Sequence, residues 1–330
     1  MLTGPARRRS PSRRPAPVLL FPGVGSYRPG VLCGLEELPE VRSVIDQVDH
    51  ADHGRHRVPR LLLDPGGPDE RHLSAHDPTS AHLAVYTAAV AVSALLHRRF
   101  GVRARAMMGH SAGEIAALAA AGGVDVGDGA RVVLARDAAI AESAAPPGGL
   151  VVVEATAAEV DRLLAEVALP SLQRACDNAP NQCVVSGAAG DLPALTAVAN
   201  RNGRRTTRLA TTIMFHNRAL IGAARAFLDQ ISSVTVHLPH TPVFSAPLLR
   251  THRSTAELRE ATAHHLIGPV HFRRALEGLH RSGTGTFLET GPRNVLTALA
   301  KATVPDARAV SVLPRKTTVG HLAAVLRATS

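Results

Sequence analysis

The chain has 330 residues, 45% of them hydrophobic, which suffices for one large domain or for one domain with a smaller insert. Its net charge of +10 comes almost entirely from arginine and favours acidic partners. Aromatic residues make up only 3%, too few for a base-stacking platform, so no nucleic-acid binding is expected. No apolar run approaches the ~20 residues that span a bilayer. We therefore expect no membrane association and a soluble, cytoplasmic protein.

The N-terminal segment and the cysteines set further limits. Residues 1–16 are rich in proline, arginine and serine, which bury little apolar area, so a disordered basic arm is predicted. The arm either attracts an acidic partner or is merely solvated. The three cysteines, at positions 33, 176 and 183, lack metal-ligand spacing and cannot all pair. They are predicted to be small core residues in a reducing compartment, and no metal site is expected.

The first hundred residues begin with a strand and continue as helices. A buried strand is predicted from Pro17 to Phe21, followed by a turn over 22–27 that contains two glycines. The turn has neither a P-loop ending nor the dinucleotide fingerprint, so its glycines instead allow a backbone N–H to approach a reacting carbonyl. Residues 31–100 are predicted to be helical apart from a loop at 64–70. The strongest helix pattern runs from about Ser80 to Phe100.

The hexapeptide Gly109-His110-Ser111-Ala112-Gly113-Glu114 lies between a predicted strand, 104–108, and a predicted helix, 115–121. Gly-x-Ser-x-Gly in this context is typical of a nucleophile elbow. The serine of such an elbow sits on a strained turn where flanking Cβ atoms would collide with the strand or the helix. Its oxygen projects towards the N-terminus of a helix, where backbone N–H groups can stabilise an oxyanion. The alternative is a glycine-rich turn with an ordinary serine.

Residues 150–210 have a separate pattern. After a helix predicted over 127–145 and the break Pro146-Pro147-Gly148-Gly149, strands and helices follow in the order β-α-β-β-α-β, the ferredoxin-like order. The predicted strands are 150–155, 172–177, 182–187 and 205–210, and the predicted helices are 157–167 and 191–202. We therefore predict an α/β fold in which residues 17–148 and 211–330 form a large α/β-hydrolase-like domain with a parallel sheet. A small ferredoxin-like subdomain is inserted at 149–210.

The C-terminal part returns to the large domain. Buried strands are predicted over 243–246 and 286–288, and a turn over 289–292 precedes a helix over 295–302. Residues 319–328 are apolar at helical spacing and are expected to pack on the body of the protein.

A nucleophilic serine needs a base, and histidine is the usual choice near neutral pH. The chain has 17 histidines, so a single one carries little information. His110 is predicted to be structural because it points away from the nucleophile on this type of turn. His216 is the candidate base, since it lies where the chain leaves the predicted insert and crosses the cleft between the domains.

Several sequence blocks, taken together, resemble the malonyl-CoA:acyl-carrier-protein transacylases and the acyltransferase domains of polyketide synthases. They occur in the family's order over residues 18 to 300. The blocks are Phe21-Pro22-Gly23-Val24-Gly25-Ser26, the Gly109–Glu114 elbow, Arg136 twenty-five residues after the serine, Asn178-Ala179-Pro180-Asn181-Gln182, Phe215-His216, Leu266-Ile267-Gly268-Pro269-Val270 and Glu289-Thr290-Gly291-Pro292.

The resemblance implies a role for several residues. Ser111 would be the nucleophile that becomes an acyl ester, and His216 would be its base. The family has no triad carboxylate; a backbone carbonyl orients the histidine, and the alignment assigns that carbonyl to His265. The backbone N–H groups of Val24 and Ala112 would form the oxyanion hole.

The same resemblance implies a substrate site. Arg136 would hold the free carboxylate of a malonyl group, because a guanidinium fork pairs with a carboxylate and keeps its charge when buried. The alternative is a solvated helix arginine such as Arg131. Phe215 and Met214 would line the substrate site. Asn178 and Gln182 would support it from outside, with a simple β-turn as the alternative.

The implied reaction is a ping-pong transfer of an acyl group, most simply malonyl, from acyl-CoA to the phosphopantetheine thiol of an acidic acyl carrier protein, in polyketide or fatty-acid biosynthesis. It needs no bound cofactor, and the protein would be a monomer acting in trans. The chain departs from the family at Val24 and Tyr27, where Gln is common, and at Ser80-Ala81-His82, where Gln-Pro-Ala is usual. These changes keep open a transacylase that moves a larger acyl chain between carrier proteins. A serine hydrolase of acyl thioesters and a non-catalytic binding module are further alternatives.

Overall fold

The computed structural model describes residues 16–313 and 317–329. The predicted basic arm, 1–16, therefore lies almost entirely outside the described residues. The predicted α/β class with a parallel sheet is confirmed. The limits predicted for the two domains remain predictions.

The large sheet has four parallel strands in the order β10-β9-β1-β2. Strands β1 and β2 are buried along their whole length, as expected for parallel strands covered on both faces. Their ends lie side by side, with Phe21 paired to Gly109. The strands are β1 Val18–Phe21, β2 Ala106–Gly109, β9 Thr286–Pro292 and β10 Arg308–Leu313.

Helices surround this sheet. The central one, α4, spans Pro78–Arg98 and packs against β9 and five neighbouring helices. It is long and apolar enough to cross a bilayer, which corrects the expectation that no segment has that length. However, 89% of its apolar window is buried in the protein, as in the core helix of a globular domain. The other helices before the second sheet are α1 Pro39–Asp52, α2 Val58–Leu63, α3 Glu70–His76, α5 Gly113–Ala120 and α6 Val126–Ala141.

A second sheet lies between residues 148 and 208. Its strands are antiparallel in the order β4-β5-β3-β6, and strands and helices alternate as β-α-β-β-α-β. Its helices cover a separate apolar core that includes Val153, Leu163 and Leu195. The elements are β3 Gly148–Val153, α7 Ala157–Val167, β4 Gln173–Ala179, β5 Gln182–Ala188, α8 Leu192–Arg201 and β6 Thr206–Arg208.

The C-terminal part differs from the prediction in several places, and its three helices between residues 221 and 281 were not predicted. Strand β9 continues through Pro292, so the segment 289–292 is strand and not a turn. The segment predicted as a strand of the large sheet over 243–246 is a two-residue strand, β7, paired with β8 and joined to Met107 by a single bridge. Strand β10 was not predicted at all. The remaining elements are β7 Phe244–Ser245, β8 Arg250–Thr251, α9 Ile221–Gln230, α10 Thr255–His264, α11 Phe272–Arg281, α12 Val295–Thr303 and α13 Val319–Thr329.

Two glycines make room around the turn after β2. A Cβ on Gly113 would lie 2.1 Å from the Phe21 carbonyl oxygen, and a Cβ on Gly109 would lie 2.0 Å from the Glu114 nitrogen. Both obstacles are backbone atoms, which cannot move aside as a flexible side chain can. Glycine at 113 therefore permits the close approach of the turn after β1, and glycine at 109 permits the tight turn from β2 into α5.

This packing predicts the effect of substituting Gly113. Gly113→Ala is expected to lower the free energy of unfolding by about 2 kcal/mol, because overpacking against backbone forces a shift of β1 or α5. The control is Gly278→Ala inside α11, where a Cβ meets nothing within 4 Å. That change is expected to leave stability unchanged or raise it by up to about 1 kcal/mol. Urea unfolding followed by circular dichroism measures both, and equal effects would contradict the packing account.

Candidate active site

Ser111 lies on a tight turn between β2 and α5. Its φ of 54° is in the left-handed region, which residues other than glycine rarely adopt. Hydrogen bonds fix the turn: the His110 N–H donates to the Phe21 carbonyl at 2.9 Å, and the Gly113 N–H donates to the His110 carbonyl at 3.0 Å. This strained backbone is the one that a nucleophile elbow requires.

The Ser111 hydroxyl meets the imidazole of His216. Its Oγ lies 2.7 Å from His216 Nε2, although 105 residues separate them along the chain. His216 is buried, with 4% of its surface exposed, and it also has a positive φ, 59°. The structure therefore brings together the two residues that the sequence proposed as nucleophile and base.

The other ring nitrogen of His216 faces a backbone carbonyl, but that carbonyl belongs to Gly268, at 3.0 Å from Nδ1. The assignment to His265 was wrong. His265 caps α10 with helical dihedrals, φ −53° and ψ −27°, so its carbonyl points along that helix. With a proton on Nδ1 donated to Gly268, Nε2 is left free to accept the Ser111 proton.

The side chain of His265 has a different neighbour. Its Nε2 lies 3.1 Å from a carboxylate oxygen of Glu114, and His252 Nε2 lies 3.1 Å from the other oxygen. Burial alone would raise the pKa of Glu114, but the two histidines lower it to about 2. These contacts tie the helix that carries the nucleophile to the segment that holds His216.

The environment keeps His216 uncharged. Burial lowers its pKa to about 3, and the neighbouring His265 and His110 lower it in the same direction. The hydrogen bond to Gly268 opposes this shift. At neutral pH the imidazole is therefore a neutral base.

The backbone N–H groups of Val24 and Ala112 are candidates for oxyanion donors. Both residues line one small cavity between the turn after β1 and the start of α5. Within residues 16–313 and 317–329, neither N–H donates to a protein acceptor. Two unsatisfied donors at a helix N-terminus can stabilise a negatively charged oxygen.

Arg136 lines the same cavity but does not stand alone there. It is 4% exposed, and its Nη1 donates to Asp137 Oδ1 at 2.8 Å. The other carboxylate oxygen, Oδ2, lies 2.6 Å from Nδ1 of the buried His82. The Phe215 ring covers the guanidinium, with 4.8 Å between its centroid and Cζ. In contrast, Arg131 is exposed and pairs with Asp128, so the two arginines of α6 have different environments.

Sequence reasoning missed Asp137 and His82 as members of this site. Burial alone would raise the pKa of Asp137, but His82 and Arg136 lower it below its ordinary value. Burial lowers the pKa of Arg136, and Asp137 opposes that shift. The available signals were a carboxylate directly after the arginine and a histidine in place of the usual small residue in the 80–82 segment.

The remaining predicted substrate residues, Asn178, Gln182 and Met214, are not among the residues that line the cavity. Asn178 Oδ1 lies 2.8 Å from His110 Nε2, and its Nδ2 donates to Gln182 at 3.4 Å. The side chain of Met214 is buried against Gly148 of β3. The contact between Asn178 and His110 connects the second sheet to the turn that carries Ser111, whereas Met214, predicted to line the substrate site, does not line the cavity.

Two positions that depart from the usual family residues have different outcomes. Val24 lines the cavity, as expected of a residue near the acyl group. Tyr27 does not line it, because its hydroxyl donates to the Leu61 carbonyl at 3.2 Å in the helical layer. Tyr27 therefore lies outside the cavity.

The cavity itself is small and mostly apolar. Its volume is about 10 Å³, which is roughly the smallest space that can hold one water molecule. The described part of the chain has no cluster of three or more His, Cys, Asp or Glu side chains that could hold a metal ion.

Comparison with known proteins identifies relatives over nearly the whole chain. A family described as "Acyl transferase domain" matches residues 43–327. The chain is 33% identical over 341 residues to the spectinabilin polyketide synthase system protein NorB of Streptomyces orinoci, with 98% of this chain aligned. It spans 15% or less of the length of the first three curated relatives that it matches.

Solved structures have the same fold. The acyl-carrier-protein S-malonyltransferase of Burkholderia pseudomallei superposes with a TM-score of 0.86 at 24% identity, over 94% of this chain and 99% of that one. The malonyl-CoA:acyl carrier protein transacylase of Xanthomonas oryzae gives a TM-score of 0.84 at 28% identity, over 94% and 97% of the two chains.

The low pKa of His216 predicts how the reactivity of Ser111 varies with pH. A base with a pKa of about 3 stays unprotonated well below neutrality, so its ability to accept the serine proton is retained in mild acid. The rate of Ser111 labelling by a fluorophosphonate is expected to stay level from about pH 8 to about pH 5. Intact-mass measurement follows the adduct, and Ser111→Ala controls for other sites. A rate that falls with a midpoint near 6.5, the ordinary histidine pKa, would contradict this environment.

Proposed function

The chain belongs to the acyl transferase family, and we propose that it moves an acyl group from a thioester donor to the phosphopantetheine thiol of an acyl carrier protein through an ester on Ser111. The observation that carries this proposal is the 2.7 Å contact between Ser111 Oγ and His216 Nε2. That contact lies beside a cavity lined by two free backbone donors.

In the first half-reaction, Ser111 Oγ attacks the thioester carbonyl while His216 Nε2 takes its proton. The negative charge that develops on the carbonyl oxygen is stabilised by the N–H groups of Val24 and Ala112. The C–S bond then breaks, the imidazolium returns its proton to the departing thiolate, and an acyl ester remains on Ser111.

The second half-reaction repeats these steps in reverse order with a new thiol. His216 takes the proton of the phosphopantetheine thiol, the sulfur attacks the ester carbonyl, and Ser111 leaves with that proton. One thioester is consumed and one is formed, so the transfer needs no ATP and no bound cofactor. The Gly268 carbonyl accepts a hydrogen bond from the His216 Nδ1–H and keeps the ring oriented in both half-reactions.

Several features support the proposed partners. The net charge of +10 suits an acidic carrier protein, and an electrostatic attraction of this kind raises association rates. The names of the two structural relatives include acyl carrier protein. All three cysteines are free, and the helix that is long and apolar enough to cross a bilayer is mostly buried, which supports the proposed cytoplasmic location. We propose acyl-CoA as the donor. We also propose that the protein acts as a monomer.

A serine hydrolase would share the elbow but transfer the acyl group to water. The group facing His216 Nδ1 is a backbone carbonyl, whereas such hydrolases ordinarily use a carboxylate there. The narrow, mostly apolar cavity beside Ser111 also limits the access of water to the ester. Both features favour transfer over hydrolysis.

The acyl group depends on Arg136. The names of both structural relatives include malonyl, whose free carboxylate an arginine can bind. In this chain Asp137 already bonds the Arg136 guanidinium, so a malonyl carboxylate would compete with an internal one.

The transfer proposal predicts the behaviour of two variants. Ser111→Ala is expected to form no acyl-enzyme, because the attacking oxygen is absent. His216→Ala is expected to form it about 100-fold or more slowly, because the general base is lost. Rapid-quench intact mass, with acyl-CoA and acyl-carrier-protein donors, measures the ester and its discharge onto a holo-carrier protein.

The controls are Ser232→Ala and His76→Ala, which change an exposed serine and an exposed histidine away from the cavity. Both are expected to keep the wild-type rate. Free acid that accumulates without loaded carrier protein would show hydrolysis and contradict the proposal. A Ser111→Ala protein that still becomes acylated at the wild-type rate would contradict it as well.

A further inference from the structure

Arg136, Asp137 and His82 form a buried chain of hydrogen bonds, which we call the Arg–Asp–His cluster. One carboxylate oxygen of Asp137 accepts from Arg136 Nη1 at 2.8 Å, and the other lies 2.6 Å from His82 Nδ1. The three side chains are each 9% exposed or less. The carboxylate is thus held at both oxygens and cannot swing away from the guanidinium without losing a buried partner.

This cluster borders the place where an acyl group on Ser111 would extend. Arg136 and His82 line the cavity together with Val24 and Ala112, the candidate oxyanion donors. Phe215, the residue before His216, packs over the guanidinium with its ring. Two members of the cluster, Arg136 and His82, therefore face the cavity.

The guanidinium charge in this cluster is already balanced. Arg136 carries one positive charge and Asp137 one negative charge, and His82 Nδ1 lies within hydrogen-bond distance of the same carboxylate. A substrate carboxylate brought to Arg136 would be a second negative charge beside Asp137 in a buried site. Two carboxylates that share one cation repel each other, and one of them must be protonated or expelled.

The rest of the cavity lining offers a carboxylate no compensating charge. Val85, Ala116 and Val133 contribute apolar surface, and the hydroxyl of Tyr86 is directed to the Val126 carbonyl at 2.7 Å. Apolar walls favour hydrocarbon over a charged group.

We infer that this acyl site selects acyl groups without a free carboxylate, because Asp137 already pairs with Arg136 and neutralises the charge that would attract a substrate carboxylate. The inference rests on the proposed function, since it concerns the group that Ser111 carries. Asp137 and His82 are then specificity-determining residues.

Matched acyl donors test this inference. Acetyl and malonyl thioesters differ only by a carboxylate, as do propionyl and methylmalonyl thioesters. Each is supplied as the CoA and as the carrier-protein thioester, and ester formation on Ser111 is followed by rapid-quench intact mass. In the wild-type protein the uncharged member of each pair is expected to react faster by about 10-fold or more.

A variant isolates the contribution of Asp137. Asp137→Asn keeps the shape of the side chain and removes its charge, so the ratio of malonyl to acetyl rates is expected to rise by about 10-fold or more. The control is Asp128→Asn, which removes a partly exposed carboxylate paired with Arg131 on the same helix and is expected to leave the ratio unchanged. Should Asp137→Asn fail to fold, the wild-type ratios alone decide the question.

The possible outcomes separate the two proposals. Malonyl and methylmalonyl esters that form faster than their uncharged partners in the wild-type protein would overturn the inference and leave the transfer function standing. No ester on Ser111 from any donor would overturn the transfer function and with it the inference.

Discussion

The hydroxyl of Ser111 and the imidazole of His216 meet at 2.7 Å from opposite ends of a 105-residue stretch of chain, and much of the structure positions this contact. On one side, the parallel pairing of β1 and β2 places the two turns together, and Gly113 lets them touch. On the other side, the chain returns from the second sheet and is fixed by the hydrogen bond from the Asn217 N–H to the Leu266 carbonyl. The Gly268 carbonyl then sets the orientation of the ring. Together these constraints place a neutral, oriented base beside a strained serine.

Two buried carboxylates near this contact each lie against basic side chains. Glu114 is paired with two histidines behind the nucleophile, and Asp137 is paired with Arg136 and His82 beside the acyl position. A buried charge without a partner is costly, so each group is stable only while its members remain together. The first group connects the segments that carry nucleophile and base. The second presents a balanced charge to whatever Ser111 carries, which makes the acyl site different in character from one with an unpaired arginine.

Residues with a strong local signature were predictable from the sequence. The elbow can be recognised in the sequence because only glycine fits on both sides of the serine at that turn. The alternation of strands and helices over 148–208 follows from local periodicity.

Contacts that depend on the backbone of distant residues were harder to predict. The prediction of His265 failed because helical dihedrals turned its carbonyl away and a residue three positions later replaced it. The pairing of Asp137 with His82 depends on the packing of α6 against α4, and no short motif encodes it. Strand β10 and the extension of β9 are likewise products of tertiary pairing.

A crystal structure of the acylated enzyme would test the central claim most directly. The account predicts an ester on Ser111 Oγ whose carbonyl oxygen lies about 3 Å from the N–H groups of Val24 and Ala112. His216 Nε2 is predicted within hydrogen-bond reach of the ester oxygen, with its Nδ1 still on the Gly268 carbonyl. An acyl group attached to another residue, or an ester whose carbonyl oxygen points away from both N–H groups, would contradict the account.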